Sequence, residues 1–63
     1  MVGRRIAELR KEKGWTQKEL AKATRLSNGY IAAIEEGVRP GIKAVAIIAE
    51  QLGVEVEELY REE

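Results

Sequence analysis

The sequence predicts an all-α protein, a compact bundle of five short helices in a single domain that spans residues 1–63. Apolar residues recur at three- and four-residue intervals along most of the chain, which is the period of a helix with one buried face. Helix-capping residues divide this pattern into five segments. The longest strand-like alternation, at 54–56, is too short for a strand. With 63 residues, the chain is near the lower size limit for folding without disulfide bonds or metals.

Helix one is predicted at the N-terminus, where apolar side chains repeat at intervals of four and three residues. The residues on this face are Val2, Ile6, Leu9 and, through its aliphatic stem, Lys13. Gly14 is expected to end the helix, because glycine readily takes the left-handed conformation of a helix C-cap. Trp15 is a single aromatic residue beside the next helix start, so we expect it to pack on the core rather than to stack on a ligand.

Helix two is predicted from a capping box at its N-terminus. The Thr16 hydroxyl and the Glu19 carboxylate each accept a backbone N–H of the other residue, so the helix starts at about Gln17. The predicted inward residues of this helix are Leu20, Ala21 and Thr24.

Helix three follows after residues 25–27, a spacing typical of a helix-turn-helix. Ser27 caps its N-terminus, and Gly37 closes its C-terminus. The predicted inward residues are Ile31 and Ile34, with Tyr30 beside them. Pro40 then blocks any continuation of the helix.

Two further helices complete the predicted bundle. Helix four is predicted over about residues 41–52 and helix five over about 56–60, with Gly53 between them as a C-cap. The predicted inward stripe of helix four is Ile42, Val45, Ile48, Ala49 and Leu52. Helix five closes the domain with Val56, Leu59 and Tyr60, and Tyr60 is expected to be only half covered. Val38 and Ile47 are apolar at positions that the core does not require.

Composition excludes several classes of functional site. The sequence has no Cys and no His, and all 11 acidic residues are Glu, so a zinc site, a catalytic triad and an EF-hand loop are excluded. Paired-Glu acid-base chemistry remains formally open, but a domain of this size has little room for an enclosed pocket. We therefore expect no enzymatic activity, no cofactor, no metal and no small-molecule ligand.

The sequence also lacks the features of a membrane or exported protein. No apolar run approaches the roughly 20 residues that span a bilayer. No apolar segment of the signal-peptide type follows residues 1–5. We therefore expect a cytoplasmic protein that does not associate with a membrane.

Charge is distributed unevenly along a chain whose formal net charge is zero. Residues 1–43 hold ten basic and five acidic residues, whereas residues 44–63 hold one basic and six acidic residues. The zero total argues against a polyanionic partner. The uneven distribution argues the other way, since the first segment favours contact with a polyanion that the second would repel.

With these elements in place, the sequence resembles the Cro/repressor-type helix-turn-helix family, also called XRE or lambda-repressor-like. The most similar block is IAELRKEKGWTQKELAKATRLSNGYIAAIEEG, and after Pro40 an apolar helix ends in AEQLGV. The features typical of the family are Gly14 before an apolar residue, Thr16-Gln17, Leu20-Ala21, Ser27, Ile31, Ile34-Glu35 and Gly37. The resemblance implies a lambda-repressor-like fold that binds double-stranded DNA in transcription regulation. The Glu-, Lys- and Ala-rich surface and the complete capping signals also resemble those of an engineered sequence.

The resemblance also implies which residues meet DNA, because in this family the second helix of the motif lies in the major groove and the first crosses the phosphate backbone. The recognition helix corresponds to about residues 28–36. Its base-facing positions hold Asn28, Gly29, Ala32 and Ala33. The implied phosphate contacts are Gln17, Lys18, Arg25, Ser27, Tyr30, Arg39 and Lys43. Arg10 and Glu35 match an ion pair that joins helix one to helix three in the family.

Three departures from the family pattern shape the expected interface. Only Asn28 offers the paired donor and acceptor that grip an adenine edge, so its small neighbours are expected to read DNA by close approach and by methyl contact with thymine. Arg25 stands where the family turn usually has Gly, so it must take a positive φ or accept a different turn. The connector between helices three and four is short, which leaves the positions of Arg39 and Lys43 open.

The alternative function is a helical protein-interaction or homodimerisation module that keeps the fold without specific DNA reading. The small residues of the recognition helix, the zero net charge and Ile47 favour it, whereas the charge distribution, Gln17, Asn28 and Arg39 favour DNA binding. A homodimer through helices four and five, including Ile47 and Tyr60, is compatible with either function. If the protein binds DNA in a bacterium, we expect it to be associated with the nucleoid.

Overall fold

The structure, a computed structural model, describes residues 2–61 and folds them into five α-helices. The helices are α1 (Val2–Glu12), α2 (Gln17–Thr24), α3 (Asn28–Glu36), α4 (Ile42–Leu52) and α5 (Val56–Tyr60). The prediction of an all-α bundle of five short helices is therefore confirmed. Glu62 and Glu63, which contribute to the acidic end of the sequence, lie outside the described residues.

Local caps fix where α2 and α3 begin. Thr16 Oγ1 accepts the Glu19 backbone N–H at 3.0 Å, and Glu19 Oε1 accepts the Thr16 backbone N–H at 2.7 Å, which is the predicted capping box of α2. Ser27 Oγ accepts the Tyr30 backbone N–H at 3.0 Å and caps α3. Because each such cap is worth about 1 kcal/mol, the two together define the helices on both sides of the α2–α3 turn.

The core lies where all five helices meet. The largest fully buried side chains include at least one from each helix: Ile6 from α1, Leu20 from α2, Ile31 and Ile34 from α3, Ile48 from α4 and Leu59 from α5. Full burial of a Leu or Ile side chain stabilises the fold by about 1.5–3 kcal/mol relative to exposure. Since α3 packs against both α1 and α2, its inner face is fixed while its outer face remains open to solvent.

The predicted inward face of α4 is correct only in part. Ile42 fits the helical period of the buried stripe, but its side chain is 89% exposed, so this prediction is wrong. It lies in the first turn of α4, at the edge of the bundle, where the packed helices do not extend over it; Ala44 is buried instead. Val56 and Tyr60 are also exposed, so Leu59 is the buried side chain of α5.

The end of α1 agrees with the prediction at Gly14, which takes the left-handed conformation with a φ of 80°, but differs from it at Lys13. The helix ends at Glu12, and the Lys13 side chain is exposed rather than part of the apolar face. Its ammonium nitrogen lies 5.1 Å from the centroid of the Trp15 ring, within the range of a cation–π interaction. The Trp15 ring itself packs against the core, as expected.

α1 and α3 approach each other closely at Gly3, a contact that does not follow from the sequence. A Cβ built on Gly3 would lie 1.9 Å from the carbonyl oxygen of Ile34 and 2.8 Å from its carbonyl carbon. Only a residue without a Cβ therefore fits between the start of α1 and the end of α3. The contact places α1 directly against the last turn of α3, which carries Glu35.

Candidate nucleic-acid interface

The turn between α2 and α3 is built on a left-handed residue. Arg25 has a φ of 63°, the one positive φ at a non-glycine residue within residues 2–61. The Leu26 backbone N–H donates to the Ala21 carbonyl oxygen at 3.1 Å and closes the end of α2. Of the two conformations that the sequence left open, Arg25 therefore takes the positive φ, at a cost of about 1–2 kcal/mol. Its side chain is exposed beside the motif.

The outer face of α3 carries the residues predicted to face bases. Asn28 and Gly29 are exposed, and Ala32 and Ala33 are half-buried. A Cβ built on Gly29 would meet no atom within 4 Å, so packing within the domain does not require a glycine there. The face thus presents one polar side chain, the Asn28 amide, among small residues.

The residues predicted to contact phosphates are distributed over α2, the turn, α3, the connector and α4. Those with exposed side chains are Lys18, Arg25, Ser27, Arg39 and Lys43, whereas Gln17 and Tyr30 are half-buried. The Tyr30 hydroxyl accepts the Gly41 backbone N–H at 3.0 Å and joins α3 to the start of α4. Because Arg39 and Lys43 lie on either side of Gly41 in the chain, this bond positions both of them relative to α3.

A buried ion pair joins α1 to α3. Arg10 Nε donates to Glu35 Oε2 at 2.8 Å and Arg10 Nη2 donates to Glu35 Oε1 at 3.1 Å, so the contact is bidentate. The two side chains are 9% and 7% exposed. Arg10 Nη1 also donates to the Trp15 carbonyl oxygen at 2.7 Å, and Gln17 Nε2 donates to Glu35 Oε1 at 2.9 Å. The last turn of α3 is thereby connected to α1, to the segment before α2 and to the first residue of α2.

The bond from Gln17 to Glu35 does not follow from the sequence. The resemblance implies that the Gln17 amide lies at a phosphate, whereas in the structure Glu35 accepts one N–H of that amide. An amide nitrogen carries two hydrogens, so the second N–H remains available to another acceptor. The two residues are 18 positions apart, and no local pattern indicates a contact at that separation.

The Glu35 carboxylate is ionised in spite of its burial. Burial acts to raise the pKa of Glu35, because a charged carboxylate loses solvation in the interior. The hydrogen bonds from Arg10 and Gln17 and the charges of Arg10 and Lys11 outweigh this effect and hold the pKa below its usual range. The carboxylate therefore compensates the buried Arg10 charge. Removing one partner of such a pair typically costs about 3–5 kcal/mol.

Arg5 is engaged within the protein, on the side where α1 packs against α5. Arg5 Nη2 donates to Glu58 Oε2 at 2.6 Å, and Arg5 Nη1 donates to Glu8 Oε1 at 3.2 Å. The hydrogen bond from Arg5, followed by the charge of Arg61, lowers the pKa of Glu58. Arg5 therefore stabilises the packing of α1 on α5 rather than adding to the charge beside α3.

An open groove of about 570 Å³ lies between the start of α1, the connector after α3, the start of α4 and the end of α5. Its apolar lining residues are Val2, Val38, Pro40, Ile42 and Tyr60. The charged side chain of Arg39 also lines the groove. Tyr60 is 53% exposed. Ile47, the other residue of the predicted dimer patch, is exposed on α4 but does not line the groove. The exposed apolar surface is therefore centred on the groove rather than on Ile47.

The helix-turn-helix geometry of α2 and α3 agrees with a comparison of the whole sequence, since residues 6–59 match the family model described as Helix-turn-helix. The chain belongs to the helix-turn-helix family. The predicted resemblance is thereby confirmed. The chain is similar to the immunity repressor protein of Bacillus phage phi105, with 38% identity over 98% of this chain and 44% of the relative. It is also similar to the transcriptional regulator SinR of Bacillus subtilis strain 168, with 34% identity over 98% of this chain and 58% of the relative.

The chain spans about half the length of these two relatives, from 44% to 58%. The fold is shared with solved structures of SinR. A crystal structure of the biofilm regulator SinR in complex with DNA superimposes with a TM-score of 0.91 and 33% identity, over 97% of this chain and 100% of that chain. The N-terminal DNA-binding domain of SinR from Bacillus subtilis gives a TM-score of 0.92 and 34% identity, over 100% of this chain and 94% of that chain.

These relatives also bear on the chemistry of the helix-turn-helix domain. They are a repressor and a transcriptional regulator, which are not enzymes, and the prediction that this domain is not an enzyme is confirmed. Within residues 2–61, no group of three or more acidic side chains is placed so that it could hold a metal ion. None of the five helices described here is long and apolar enough to cross a membrane.

Proposed function

We propose that this domain binds double-stranded DNA with a preference for particular base sequences, as part of a transcription regulator. The observation that carries the proposal is the crystal structure of SinR in complex with DNA, whose entire chain shares this fold with a TM-score of 0.91. A DNA complex of so similar a fold supports α3 as the helix that enters the major groove and α2 as the helix that crosses the phosphate backbone.

The outer face of α3 supports a reading centred on adenine. Asn28 is the first residue of the helix, and its exposed amide has the donor and the acceptor that pair with the N6 and N7 edge of adenine. Gly29, Ala32 and Ala33 add no side-chain hydrogen bonds, but small residues let the helix lie close to the bases. An alanine methyl also packs well on the methyl group of thymine. One copy of the domain would therefore read only a short sequence.

Phosphate contacts supply most of the proposed affinity. The backbone N–H groups of Gln17 and Lys18 have no acceptor among the backbone hydrogen bonds of residues 2–61, and the positive end of the α2 dipole favours a phosphate beside them. The side chains proposed to contact phosphates are Gln17, Lys18, Arg25, Ser27, Tyr30, Arg39 and Lys43. The hydroxyl oxygens of Ser27 and Tyr30 accept bonds within the protein, which leaves each hydroxyl hydrogen free to donate to DNA.

The distribution of charge favours one orientation of the domain on DNA. Exposed basic side chains lie on α2, in the turn, in the connector and at the start of α4. Three exposed carboxylates with few basic neighbours lie at the end of α4, at the N-cap of α5 and on α5: Glu50, Glu55 and Glu57. The other exposed carboxylates, on α1, α2 and α3, lie close in sequence to basic residues: Glu8, Glu12, Glu19 and Glu36. Phosphates attract the basic surface and repel the carboxylates around α5, so the domain approaches DNA with α5 directed away from it.

Selection from a randomised duplex library tests this proposal. The affinities of the selected duplex and of a scrambled duplex are then measured at two salt concentrations. We expect an enriched motif that contains an adenine with neighbouring thymines. With about five phosphate contacts, the affinity for both duplexes should fall steeply as salt rises. No enrichment and no salt-dependent binding would contradict the proposal and would favour a protein-interaction module.

We also propose that two copies of the domain pair through the groove. The observation that favours pairing is the exposure of three large apolar residues along one concave surface: Val38, Ile42 and Tyr60. Exposed apolar residues grouped on one surface are typical of protein interaction sites, whereas singly scattered ones are not. In this arrangement Tyr60 lies in the interface and Ile47 at its margin. A symmetric pair would bind two half-sites about one helical turn apart.

Two matched variants test the pairing. Ile42→Lys and Ile47→Lys each replace an exposed isoleucine of α4 with lysine, but only Ile42 lines the groove. We expect sedimentation velocity to show a concentration-dependent dimer that Ile42→Lys abolishes and Ile47→Lys weakens less. A monomer at all concentrations, together with a single selected half-site, would contradict pairing while leaving DNA binding intact.

A further inference from the structure

We propose that Glu35 is a positioning residue for DNA binding: it holds one N–H of the Gln17 amide, so that the other N–H is presented to a phosphate. The inference rests on the proposed DNA-binding function and extends it to a residue that does not itself touch DNA. Glu35 is nearly buried in the last turn of α3, whereas Gln17 is half-buried at the first position of α2.

The bond to Glu35 restricts a side chain that would otherwise be mobile. A glutamine at a helix start samples several rotamers, and a contact with DNA must select one of them at a cost in entropy. In the structure, Gln17 Nε2 donates to Glu35 Oε1 at 2.9 Å, so the contact that orders the side chain is made within the protein. Part of the entropy cost of ordering the Gln17 side chain is therefore incurred when the protein folds, rather than when it binds DNA.

Glu35 is suited to this role because it is itself held in place. Arg10 grips both of its carboxylate oxygens, and Arg10 is in turn fixed by the Trp15 carbonyl oxygen. The carboxylate is ionised, so its bond with the Gln17 amide is charge-assisted. A hydrogen bond to a charged acceptor also polarises the amide, which makes its second N–H a better donor.

The bond also links the two helices that meet DNA. Gln17 lies at the N-terminus of α2, beside the unpaired backbone N–H groups of Gln17 and Lys18. Glu35 belongs to α3, the proposed reading helix. The contact therefore fixes the spacing between a phosphate-binding helix end and the helix that faces the bases, so a phosphate docked on α2 sets the position of Asn28 over the base pairs.

A double-mutant cycle on DNA affinity tests the inference. The variants are Gln17→Ala, Glu35→Gln and the two together, with urea unfolding of each variant to establish the conditions in which it is folded. We expect each single change to weaken binding of the selected duplex about tenfold, and the double variant to bind no more weakly than either single variant. Glu36→Gln is the matched control, because it removes the same charge from the exposed neighbouring position. Its affinity should be equal to that of the unaltered protein or slightly higher.

The outcomes distinguish this inference from the proposed function. Additive losses in the double variant, or an unchanged affinity in Glu35→Gln, would overturn the positioning role while leaving DNA binding itself intact. A protein that binds no duplex at all would overturn both. A loss in Glu36→Gln as large as in Glu35→Gln would show that the charge of α3 matters, rather than the bond to Gln17.

A second measurement uses the unaltered protein, because Glu35→Gln leaves a buried arginine without its partner and can unfold the domain. The two side-chain amide hydrogens of Gln17 are followed by NMR in the ¹⁵N-labelled protein. One of them should be shifted and slow to exchange in the free protein, and the addition of the selected duplex should shift the other. Equal, rapid solvent exchange of both hydrogens, or no response of the second to DNA, would overturn the proposal.

Discussion

Among the four residues proposed to face the bases, Asn28 alone carries a group with the donor and acceptor needed to pair with a base edge. Asn28→Ala is expected to cost about 1–3 kcal/mol on the selected duplex and little on a scrambled one, because only the specific complex uses the amide. Fluorescence anisotropy with labelled duplexes measures both affinities. Arg39→Ala is the contrasting variant, since loss of a phosphate contact should weaken both complexes alike and reduce the salt dependence. Equal losses on both duplexes in Asn28→Ala would exclude base reading.

A substitution at Gly29 is expected to affect the stability of the domain and its affinity for DNA in opposite directions. A methyl group at this position meets no atom of the domain, and alanine is up to about 1 kcal/mol more favourable than glycine in a helix. We expect Gly29→Ala to raise the free energy of unfolding by up to this amount. It should also weaken DNA binding, because the methyl group occupies the space that close approach to the bases requires. Urea unfolding and duplex affinity check the two effects. Higher stability with unchanged affinity would show that the backbone at Gly29 does not approach the bases.

At the scale of elements, the packing of α1 on α3 depends on the absence of one methyl group. In Gly3→Ala the new Cβ meets backbone atoms of Ile34, which cannot rotate away as a side chain would. α1 must therefore shift, and we expect the free energy of unfolding to fall by about 1–3 kcal/mol. Denaturant unfolding measures the loss. Gly29→Ala is the matched control, because the same methyl group enters open space there. Similar stabilities of the two variants would argue against the tight contact.

The turn between α2 and α3 carries strain that glycine relieves. Arg25→Gly is expected to raise the free energy of unfolding by about 0.5–1 kcal/mol, since glycine takes a φ of 63° without steric cost. The same change removes a proposed phosphate contact, so the affinity for all duplexes should fall. Urea unfolding and anisotropy separate the two effects. Arg25→Lys keeps both the charge and the strained backbone and should show neither. A destabilised Arg25→Gly variant would mean that side-chain contacts, rather than the backbone, decide the stability of the turn.

Local sequence patterns predict where most of the helices lie, but they do not predict how the helices pack against one another. The caps join residues three positions apart, so the sequence alone indicates where α2 and α3 begin. The contacts of Gln17 with Glu35 and of Gly3 with Ile34 join residues that are distant in the chain and depend on helix packing. The same limit of local patterns applies to Ile42. It lies at a position of the apolar stripe of α4, but its burial depends on whether another element covers the first turn of the helix.

The candidate site was predictable only where the family resemblance applies position by position. It points to Asn28, Gly29, Ala32 and Ala33, whose contact with bases stays a prediction. In the structure Asn28 and Gly29 are exposed, and Ala32 and Ala33 are half-buried. The groove was not predictable, because its lining comes from four separate segments of the chain. Tyr30 lies between these cases: its packing follows from the pattern, whereas the bond of its hydroxyl with Gly41 depends on the path of the connector.

At the scale of the whole molecule, ionised Glu35 makes stability depend on pH. Its pKa is lower in the folded protein than in the unfolded chain, where a Glu has a pKa of about 4.3. The stabilisation is therefore complete above that value and is lost as the pH falls through the folded pKa. Glu58 acts in the same direction, since its hydrogen bond with Arg5 and the charge of Arg61 also lower its pKa. We expect urea unfolding to show a free energy of unfolding that decreases below about pH 4.3.

The variant Glu35→Gln has no titratable group at this position. Its free energy of unfolding at acid pH is therefore compared with that of the unaltered protein. It should be less stable than the unaltered protein at neutral pH, and the difference between the two should shrink as the pH falls. A difference that stays constant across the acid range would mean that the ion pair with Arg10 does not control the acid sensitivity of the fold.

The division of α3 into a packed face and an open face has a consequence for how such a domain acquires new targets. Ile31 and Ile34 are fully buried, whereas Asn28 and Gly29 on the open face have no role in the core. Larger polar side chains introduced on that face would extend outward without displacing a core atom. On the proposed reading of DNA by α3, we therefore expect single substitutions to change the preferred DNA sequence with little loss of stability. A domain built in this way would acquire new targets one substitution at a time, and it would also suit retargeting by design.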